Sequence, residues 1–364
     1  MIPIYQPDLS GNEKKYLNEC IDSTWISSRG KFIDLFEEEF CKFTKSPYAT
    51  TVSNGTVAIH LALEALNIGK DDEVIVPALT YIASVNPIVQ VGAKPIFVDS
   101  LESSWQVDPE DIKRKITSKT KAIMVVHLYG QSADMDSIMT IANEYNLLVI
   151  EDSAEAFGSL YKGQHVGTFG DVGTFSFFGN KTITCGEGGM VISKDKVIYE
   201  RMKHLKNQGV SYDKQYWHDV VAYNYRMTNM QASIGLAQIE RATEFIGRKR
   251  EIAALYKELL QDTHIEVHGE QNETLHSYWM TSILVPNANI RDKLQAFLKE
   301  NGIETRPLFY PVHTMPMYKT DESFPISENL GSRGLNLPSW PGLKNSQIEL
   351  ISNTIHSFYK VTEK

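Results

Sequence analysis

Short apolar runs alternate with helical patterns between residues 50 and 195, and this alternation constrains the fold most strongly. Runs such as 121–126 and 147–150 are almost continuously apolar, as expected for strands that are buried on both faces of a sheet. Alternating strands and helices predict a mainly parallel sheet between layers of helices, which is the α/β class. The predicted strands cover 73–76, 95–98, 121–126, 147–150 and 190–192, and the predicted helices cover about 53–66, 80–90, 108–116 and 134–145.

The pattern changes after about residue 195, where longer helical stretches follow. The segment 305–339 is rich in proline and aromatic residues and is predicted to be irregular. We predict an N-terminal arm (1–30), a large α/β domain (31–245) and a smaller α+β C-terminal domain (246–364). The predicted elements of the last part are helices over 228–244, 248–260, 290–301 and 346–359 and a strand over 277–285.

Composition excludes several classes of protein and partner. The chain has 36 Lys and Arg against 45 Asp and Glu, so it offers no overall positive field to nucleic acid or to an anionic membrane, and we expect neither partner. Cys20, Cys41 and Cys185 are widely spaced and odd in number, so no disulfide framework and no metal site is expected. No apolar run approaches the ~18 residues of a membrane span, and the first seven residues do not resemble a secretory signal. We therefore expect a cytoplasmic protein.

Two features lie where open parallel sheets bind ligands, outside the carboxyl ends of the strands. The small residues Ser53-Asn54-Gly55-Thr56 begin a helix, and backbone N–H groups there favour an anion such as phosphate, although an ordinary helix cap is the alternative. The pair Glu151-Asp152 ends a strand, where a carboxylate is desolvated unless it has a partner. That partner is either a protonated ring nitrogen or the N–H groups of the following turn.

A third feature is Lys181, which follows an aromatic run at 175–178 and precedes the glycines of 186–189. Such a lysine is either a surface side chain or an amine in an apolar pocket, where desolvation lowers its pKa and makes it a nucleophile. Glycines would let the backbone approach a ligand closely. Two other phosphate motifs are excluded, because 186–188 lacks the third glycine of the dinucleotide fingerprint and 179–182 lacks the Gly-Lys pair of a P-loop.

A phosphate-binding helix start, a buried acid and a nucleophilic lysine are together the groups that pyridoxal phosphate requires. The lysine forms the Schiff base, the acid keeps the pyridine nitrogen protonated, and the helix start holds the phosphate. The sequence therefore predicts pyridoxal phosphate as the cofactor.

Five motifs occur in order along the chain and carry a family resemblance. They are Ser53-Asn54-Gly55-Thr56, Pro77-x-x-Thr80-Tyr81, Glu151-Asp152-x-Ala154-Glu155-x-x-Gly158, Phe175-Ser176-Phe177-x-x-x-Lys181 and Gly186-Glu187-Gly188-Gly189. In this order they resemble the DegT/DnrJ/StrS sugar aminotransferases, which are fold-type-I pyridoxal-phosphate enzymes acting on nucleotide-linked keto sugars. The resemblance runs from about residue 4 to residue 359, so it implies that fold for the chain.

The resemblance also implies roles for individual residues. Lys181 matches the Schiff-base lysine and proton carrier, Asp152 the partner of the pyridine nitrogen, and Tyr81 the ring on the cofactor face. Glu155 lies near the phenolic oxygen of the cofactor, at a position where many members have glutamine. The implied phosphate contacts are Gly55, Thr56, Ser176 and Asn224, the last of which reaches the site from the partner subunit of a homodimer or of a dimer of dimers.

Lys181 also separates two reaction classes. Relatives with histidine at this position use pyridoxamine phosphate to dehydrate the sugar, whereas a lysine allows amine transfer. The resemblance therefore implies transfer of an amino group from L-glutamate to C4 of a nucleotide-linked 4-keto-6-deoxy sugar, first among them GDP-4-keto-6-deoxy-D-mannose, within O-antigen (lipopolysaccharide) synthesis. Three alternatives stay open: an aminotransferase for another keto sugar (UDP- or dTDP-linked), a sugar dehydratase, and a non-catalytic homologue.

Substrate contacts are expected from segments outside the five motifs. Similarity places Tyr310, His313 and Trp25 near the sugar. Arg248 or Arg250 would help to neutralise the diphosphate. Each arginine taken alone would equally suit a solvated helix face.

Overall fold

The structure is a computed structural model that describes residues 1–362. Its helices are Glu13–Asp22 (α1), Lys31–Thr44 (α2), Gly55–Ala65 (α3), Asn86–Gln90 (α4), Pro109–Lys115 (α5), Met135–Tyr145 (α6), Lys196–Lys206 (α7), Asn229–Ile239 (α8), Ala242–Leu259 (α9), Ala288–Glu300 (α10), Pro325–Arg333 (α11) and Asn345–Thr362 (α12). Its strands are Tyr48–Val52 (β1), Glu73–Pro77 (β2), Lys94–Val98 (β3), Thr120–Val126 (β4), Leu148–Asp152 (β5), Leu160–Tyr161 (β6), Gln164–His165 (β7), Val172–Ser176 (β8), Gly189–Ser193 (β9), Glu266–Val267 (β10), Thr274–Leu275 (β11), Thr281–Leu284 (β12), Arg306–Pro307 (β13) and Gly334–Leu337 (β14).

A seven-stranded sheet forms the centre of the larger part of the molecule, with strand order β1-β9-β8-β5-β4-β2-β3. The pairs β8–β5, β5–β4, β4–β2 and β2–β3 are parallel, and β9 is antiparallel to both of its neighbours. All five residues of β2 are buried, as the continuous apolar run predicts. The predicted α/β class with a mainly parallel sheet is therefore confirmed.

The topology brings the motif residues to one edge of this sheet. Asp152 is the last residue of β5 and Ser176 is the last residue of β8, which pairs with β5 in parallel. Helix α3 begins at Gly55, and two residues separate it from the end of β1. Because parallel strands end at the same edge, these groups meet where such sheets bind ligands.

A second, four-stranded sheet has the order β10-β12-β14-β13, and all of its paired strands are antiparallel. Its apolar side packs with α9, α10 and α12 through buried residues such as Ile252, Leu294 and Ile351. Helix α9 runs through residue 245, and Ile4 of the N-terminal segment is buried against the larger core. The division into an arm and two domains stays a prediction.

Two local expectations were wrong. The predicted helix over 80–90 is a short 3₁₀ turn at Ile82–Ser84 followed by the five-residue α4, and Tyr81 is extended with φ −71° and ψ 143°. Pro87 explains the break, because proline is tolerated in the first turn of a helix but not in its interior. The segment 305–339 is not irregular, since it contains α11 and also β14, which lies between two other strands of the second sheet.

The long predicted helices of the C-terminal half end at different residues from those expected. Helix α8 ends at Ile239 and α9 begins at Ala242, whereas the sequence predicts a break between residues 244 and 248. The start of α8 follows from the sequence, because Thr228 and Gln231 form a capping box. Among the residues that the structure describes, no helix is long and apolar enough to cross a membrane.

Candidate active site

A cavity of about 750 Å³ opens at the carboxyl edge of the large sheet and is closed on another side by β13 and β14. A pocket of this size is typical of sites for small molecules and cofactors. Seven of the predicted site residues line it: Gly55, Thr56, Tyr81, Asp152, Glu155, Ser176 and Lys181.

The start of α3 forms an anion site on the cavity wall. The Asn54 side chain accepts a hydrogen bond from the Val57 N–H at 3.0 Å, and its carbonyl accepts the Ala58 N–H. The amides of Gly55 and Thr56 are therefore the first-turn donors left for a ligand. A Cβ at Gly55 would lie 2.7 Å from the Cβ of Ser176, so only glycine allows α3 to approach the Ser176 hydroxyl this closely. These donors fit a phosphate group.

Asp152 presents a buried carboxylate to the same cavity, with a relative exposure of 5%. Its Oδ2 accepts a hydrogen bond from the Ser84 hydroxyl at 2.7 Å, and its Oδ1 accepts the Ala154 N–H at 3.1 Å. The Ser84 and Thr80 hydroxyls are 2.9 Å apart. These hydrogen bonds fix the direction of the carboxylate, so Asp152 fits as a partner for a protonated ring nitrogen.

Lys181 is held between a carboxylate and an aromatic ring. Its Nζ lies 3.8 Å from Glu155 Oε1 and 3.9 Å from the centre of the Trp279 ring. Burial lowers the pKa of Lys181, while the charges of Glu155 and Asp152 oppose that shift. The amine therefore loses its proton more readily than an exposed lysine, which a nucleophile or base requires.

Glu155 is a buried acid beside the Lys181 amine. Burial raises the pKa of Glu155 to about 7, although the Lys181 charge and a hydrogen bond from the Tyr129 N–H, at 2.8 Å from Oε2, oppose the shift. Tyr129 donates that bond from a left-handed backbone conformation with φ +56°. Carboxylic acid and amine thus stand within 4 Å of each other, and both titrate nearer to neutral pH than usual.

An aromatic stack supports Lys181 and was missed by sequence reasoning. Trp279 stacks with Tyr129 and Phe309, and its Nε1 donates to the Asn180 carbonyl at 2.7 Å. The sequence predicts Trp279 only as part of a strand, and its separation from Lys181 along the chain leaves no local signal for the contact. Ser84 was missed in the same way.

The remaining predicted site residues do not line the cavity of this chain. Asn224 accepts a hydrogen bond from Arg226 Nε at 2.8 Å, and Trp25 and Tyr310 are exposed. His313 is buried and lies 3.1 Å from Glu328 Oε1. Their predicted roles in binding stay predictions.

The two arginines proposed for the diphosphate also point elsewhere. Arg248 bonds to Glu251, to the Leu343 carbonyl and to Asn345, and Arg250 pairs with Glu270 and with the His276 carbonyl. Neither arginine lines the cavity, and their predicted role likewise stays a prediction. Within residues 1–362, no group of three or more His, Cys, Asp or Glu side chains is placed to hold a metal ion.

The chain matches known proteins over almost its whole length. A family model described as the DegT/DnrJ/EryC1/StrS aminotransferase family matches residues 7–356. The chain is 59% identical to a GDP-perosamine synthase of Escherichia coli O157:H7 over 98% of both chains, and 56% identical to a GDP-perosamine synthase of Vibrio cholerae over 99% of both. The crystal structure of the aminotransferase TlmJ from Streptoalloteichus hindustanus superposes with a TM-score of 0.96 at 28% identity over 100% of both chains.

These matches confirm the fold-type-I α/β architecture and pyridoxal phosphate as the cofactor. The match also agrees with the cavity, in which the α3 start, Asp152 and Lys181 present the three groups that this cofactor needs. The chain therefore belongs to the DegT/DnrJ/EryC1/StrS aminotransferase family.

Proposed function

We propose that this chain transfers an amino group from L-glutamate to C4 of GDP-4-keto-6-deoxy-D-mannose and so forms GDP-perosamine. The observation that carries the proposal is the Lys181 amine, which lies 3.8 Å from Glu155 in a cavity that Asp152 also lines, in a chain 59% identical to a GDP-perosamine synthase. The two relatives at 59% and 56% identity are both GDP-perosamine synthases, which favours the GDP-linked sugar over another nucleotide and amine transfer over dehydration.

Different residues of the cavity would bind different parts of the cofactor. The amides of Gly55 and Thr56 and the Ser176 hydroxyl would bind its phosphate, and Asp152 would bind its ring nitrogen. When bound, pyridoxal phosphate supplies an electron sink that weakens the bond to hydrogen at the carbon carrying the amino group. Tyr81 lines the same cavity with an exposed ring, so it is available to cover one face of the cofactor.

Lys181 would act both as the nucleophile that holds the cofactor and as the group that moves a proton. Burial lowers the pKa of its Nζ, so this atom can take up a proton and return it. Glu155 Oε1, at 3.8 Å, can stabilise the ammonium form between these two events. The Trp279 ring below Nζ excludes water from that side and favours the same cationic form.

We further propose a homodimer in which Asn224 reaches the phosphate of the partner's site. In support, Asn224 lies outside the cavity of its own chain and is exposed to solvent. Mixing Lys181→Ala and Asn224→Asp proteins tests this, because hybrid dimers contain one site free of both changes. Equal mixing is expected to restore about a quarter of the sites. No recovery after demonstrated subunit exchange would contradict a shared site.

We also propose that the enzyme acts in the cytoplasm and supplies O-antigen synthesis. Its cysteines, Cys20, Cys41 and Cys185, are free thiols, which suits a reducing compartment. A sugar that is linked to a nucleoside diphosphate is activated for transfer to a growing polysaccharide. Deletion of the encoding gene in the source organism is expected to remove perosamine from its lipopolysaccharide.

The decisive assay offers the holoenzyme GDP- and UDP-linked 4-keto-6-deoxy sugars separately, with L-glutamate present. The GDP sugar is expected to gain one amino group at C4, detected by the product mass and located by NMR. The Lys181→Ala protein is the control for non-enzymatic amination. Exclusive turnover of the UDP sugar, or amination at C3, would contradict the proposal.

A further inference from the structure

The cavity contains few positive charges for the substrates that it is proposed to take. Three acidic residues line it, namely Asp152, Glu155 and Glu187. Among the described residues that line it, Lys181 and Arg306 are the only lysine and arginine. Both proposed substrates are anions, because L-glutamate has two carboxylates and the nucleotide sugar has a diphosphate. Lys181 is assigned to the cofactor in the proposed function, so Arg306 is the cation that the described lining of this chain leaves for a substrate anion.

The guanidinium of Arg306 makes few polar contacts with the rest of the described chain. Within the part of the chain that the structure describes, its only hydrogen bond runs from Nη2 to Glu304 Oε1 at 3.4 Å, and the side chain is 55% exposed. A guanidinium has five N–H donors in a planar fork that matches carboxylate and phosphate oxygens. Most of these donors are therefore available at the cavity wall.

The backbone around Arg306 is firmly held, so the guanidinium projects from a fixed base. Arg306 pairs with Asn336 on the neighbouring strand β14. The Asn336 side chain accepts a hydrogen bond from the Ser282 hydroxyl at 2.6 Å and donates one to the Pro307 carbonyl at 3.3 Å. A binding group on a rigid strand loses less conformational entropy when it captures a ligand than one on a mobile loop.

The N-terminal segment contacts both Glu304, beside Arg306, and the backbone of Lys181. Glu304 Oε2 accepts a hydrogen bond from the Ile4 N–H at 3.0 Å, and the adjacent Tyr5 hydroxyl donates to the Lys181 carbonyl at 2.6 Å. Ile4 itself lines the cavity. Arg306 and Lys181 therefore border the same cavity, and Glu304 lies beside Arg306 and contacts the same N-terminal segment.

We propose that Arg306 is a substrate-binding residue that holds an oxyanion of a substrate, either a carboxylate of the amino donor or the diphosphate of the nucleotide sugar. Glu304 occupies one of its donors in the free enzyme and lowers the affinity for a second anion. This inference rests on the proposed function, because that function makes both substrates anionic. Arg306 would act in addition to Lys181 and Asp152, which are proposed to act on the cofactor.

The test measures binding to the holoenzyme by calorimetry with two probes, glutarate for the donor's carboxylates and GDP for the diphosphate. Arg306→Gln is expected to weaken at least one probe by ~10–100-fold, since hydrogen bonds to charged groups are lost. Arg306→Lys keeps the charge without the fork and is expected to fall between wild type and Arg306→Gln. Glu304→Gln keeps an acceptor for the Ile4 N–H and is expected to tighten binding by up to about fivefold.

Arg114→Gln is the matched control, because Arg114 is an exposed arginine that pairs with Asp108 and Asp111 away from the cavity. It removes the same charge and is expected to leave both affinities unchanged.

If Arg306→Gln loses affinity for glutarate alone, Arg306 binds the amino donor, and if it loses affinity for GDP alone, Arg306 binds the diphosphate. The inference would be overturned if a folded Arg306→Gln protein bound both glutarate and GDP with affinities within twofold of wild type. The proposed function would survive that result, because it fails only if the wild-type enzyme does not aminate the GDP sugar.

Discussion

Two lysines, Lys181 and Lys249, show how a pKa lowered by desolvation can accompany different roles, although the side chain of Lys181 is 13% exposed and Lys249 is fully buried. Lys181 lines the cavity, with Glu155 Oε1 3.8 Å from its amine and the Trp279 ring below it. Lys249 is fully buried on α9, donates to the Ser339 carbonyl at 3.0 Å, and has its Nζ 5.2 Å from the centre of the Tyr5 ring. Burial lowers the pKa of both, that of Lys249 to about 7.

The difference lies in their neighbours and their access rather than in desolvation. Lys181 has a carboxylate that can balance its charge and a cavity through which a ligand can reach the amine. Lys249 has only neutral partners among the described residues, and it does not line the cavity. A lowered pKa therefore marks a reactive lysine only where a ligand can approach it. The predictions below test that distinction.

The largest expected effect is the loss of activity in Lys181→Ala. Removal of a proton-transfer group alone costs ~10²–10⁴-fold in rate, and loss of the covalent role adds to this. The variant should also lack the visible absorption of the lysine-bound cofactor, which a spectrum of the purified protein checks. Lys249→Met is the matched control and is expected to retain both the spectrum and the activity. Equal losses in the two variants would contradict the distinction.

The next largest loss of activity is expected from Asp152→Asn. The amide keeps the size of the side chain and can still accept the Ser84 hydroxyl, but it removes the negative charge that a protonated ring nitrogen needs. Loss of one fixed electrostatic contact to the reacting system typically costs about 10²–10³-fold in kcat. Steady-state kinetics and cofactor titration should both show the defect, and a kcat within tenfold of wild type would count against the assigned role.

The adjacent Glu151→Gln variant provides a structural contrast. Burial opposes ionisation of Glu151, but His127 and the Gly167 and Gly170 amides outweigh it, so that the pKa of Glu151 is lowered. Because Glu151 does not line the cavity, this substitution should lower the melting temperature while the folded fraction still binds cofactor.

A smaller effect is expected from Glu155→Gln, and it should depend on pH. The pKa of Glu155 is raised to about 7 from an ordinary value of 4.5, so its carboxylate forms as the pH rises through 7. In wild type, the ammonium form of Lys181 gains stabilisation above that pH, whereas glutamine supplies no charge. The pKa of the Lys181 amine in the cofactor-free protein should therefore fall in the variant. Reductive ¹³C-methylation of that protein followed by NMR titration measures this pKa, and an unchanged value would exclude the coupling.

The sequence predicted the parts of the site that depend on local pattern. Asp152 follows a continuous apolar strand and Gly55 begins a helix, so the position of each can be derived from its neighbours and from the rule for parallel sheets. The family motifs then identified Lys181 and Glu155. The matching of whole motifs, rather than composition, supplied their chemistry.

The contacts that the sequence did not predict join distant parts of the chain. Trp279 reaches Lys181 from the segment that precedes β12, and Ser84 reaches Asp152 from the short 3₁₀ turn that replaces the first part of the expected helix. Strand β14 is only four residues long, and its one Leu-Asn-Leu alternation is too short to distinguish it from a loop. Such contacts depend on how elements pack, which propensity and periodicity do not encode.

The smallest expected effect is on stability, in Lys249→Met. The folded-state pKa of Lys249 is about 7 and its ordinary value is 10.5, so between these pH values the unfolded chain binds more protons than the folded one. The free energy of unfolding must then rise as the pH increases from 7 to 10.5, and below pH 7 the full penalty of burying the ammonium remains.

Methionine at position 249 removes that penalty but leaves the Ser339 carbonyl without its donor, so a net gain of about 1–3 kcal/mol in the free energy of unfolding is expected at pH 7. Urea unfolding of both proteins at pH 7 and pH 10 measures the gain, which should shrink at the higher pH. A gain that is independent of pH would show that the pKa of Lys249 is the same in the folded and unfolded chains, so that burial does not lower it. A net loss would show that its hydrogen bond outweighs the cost of burial.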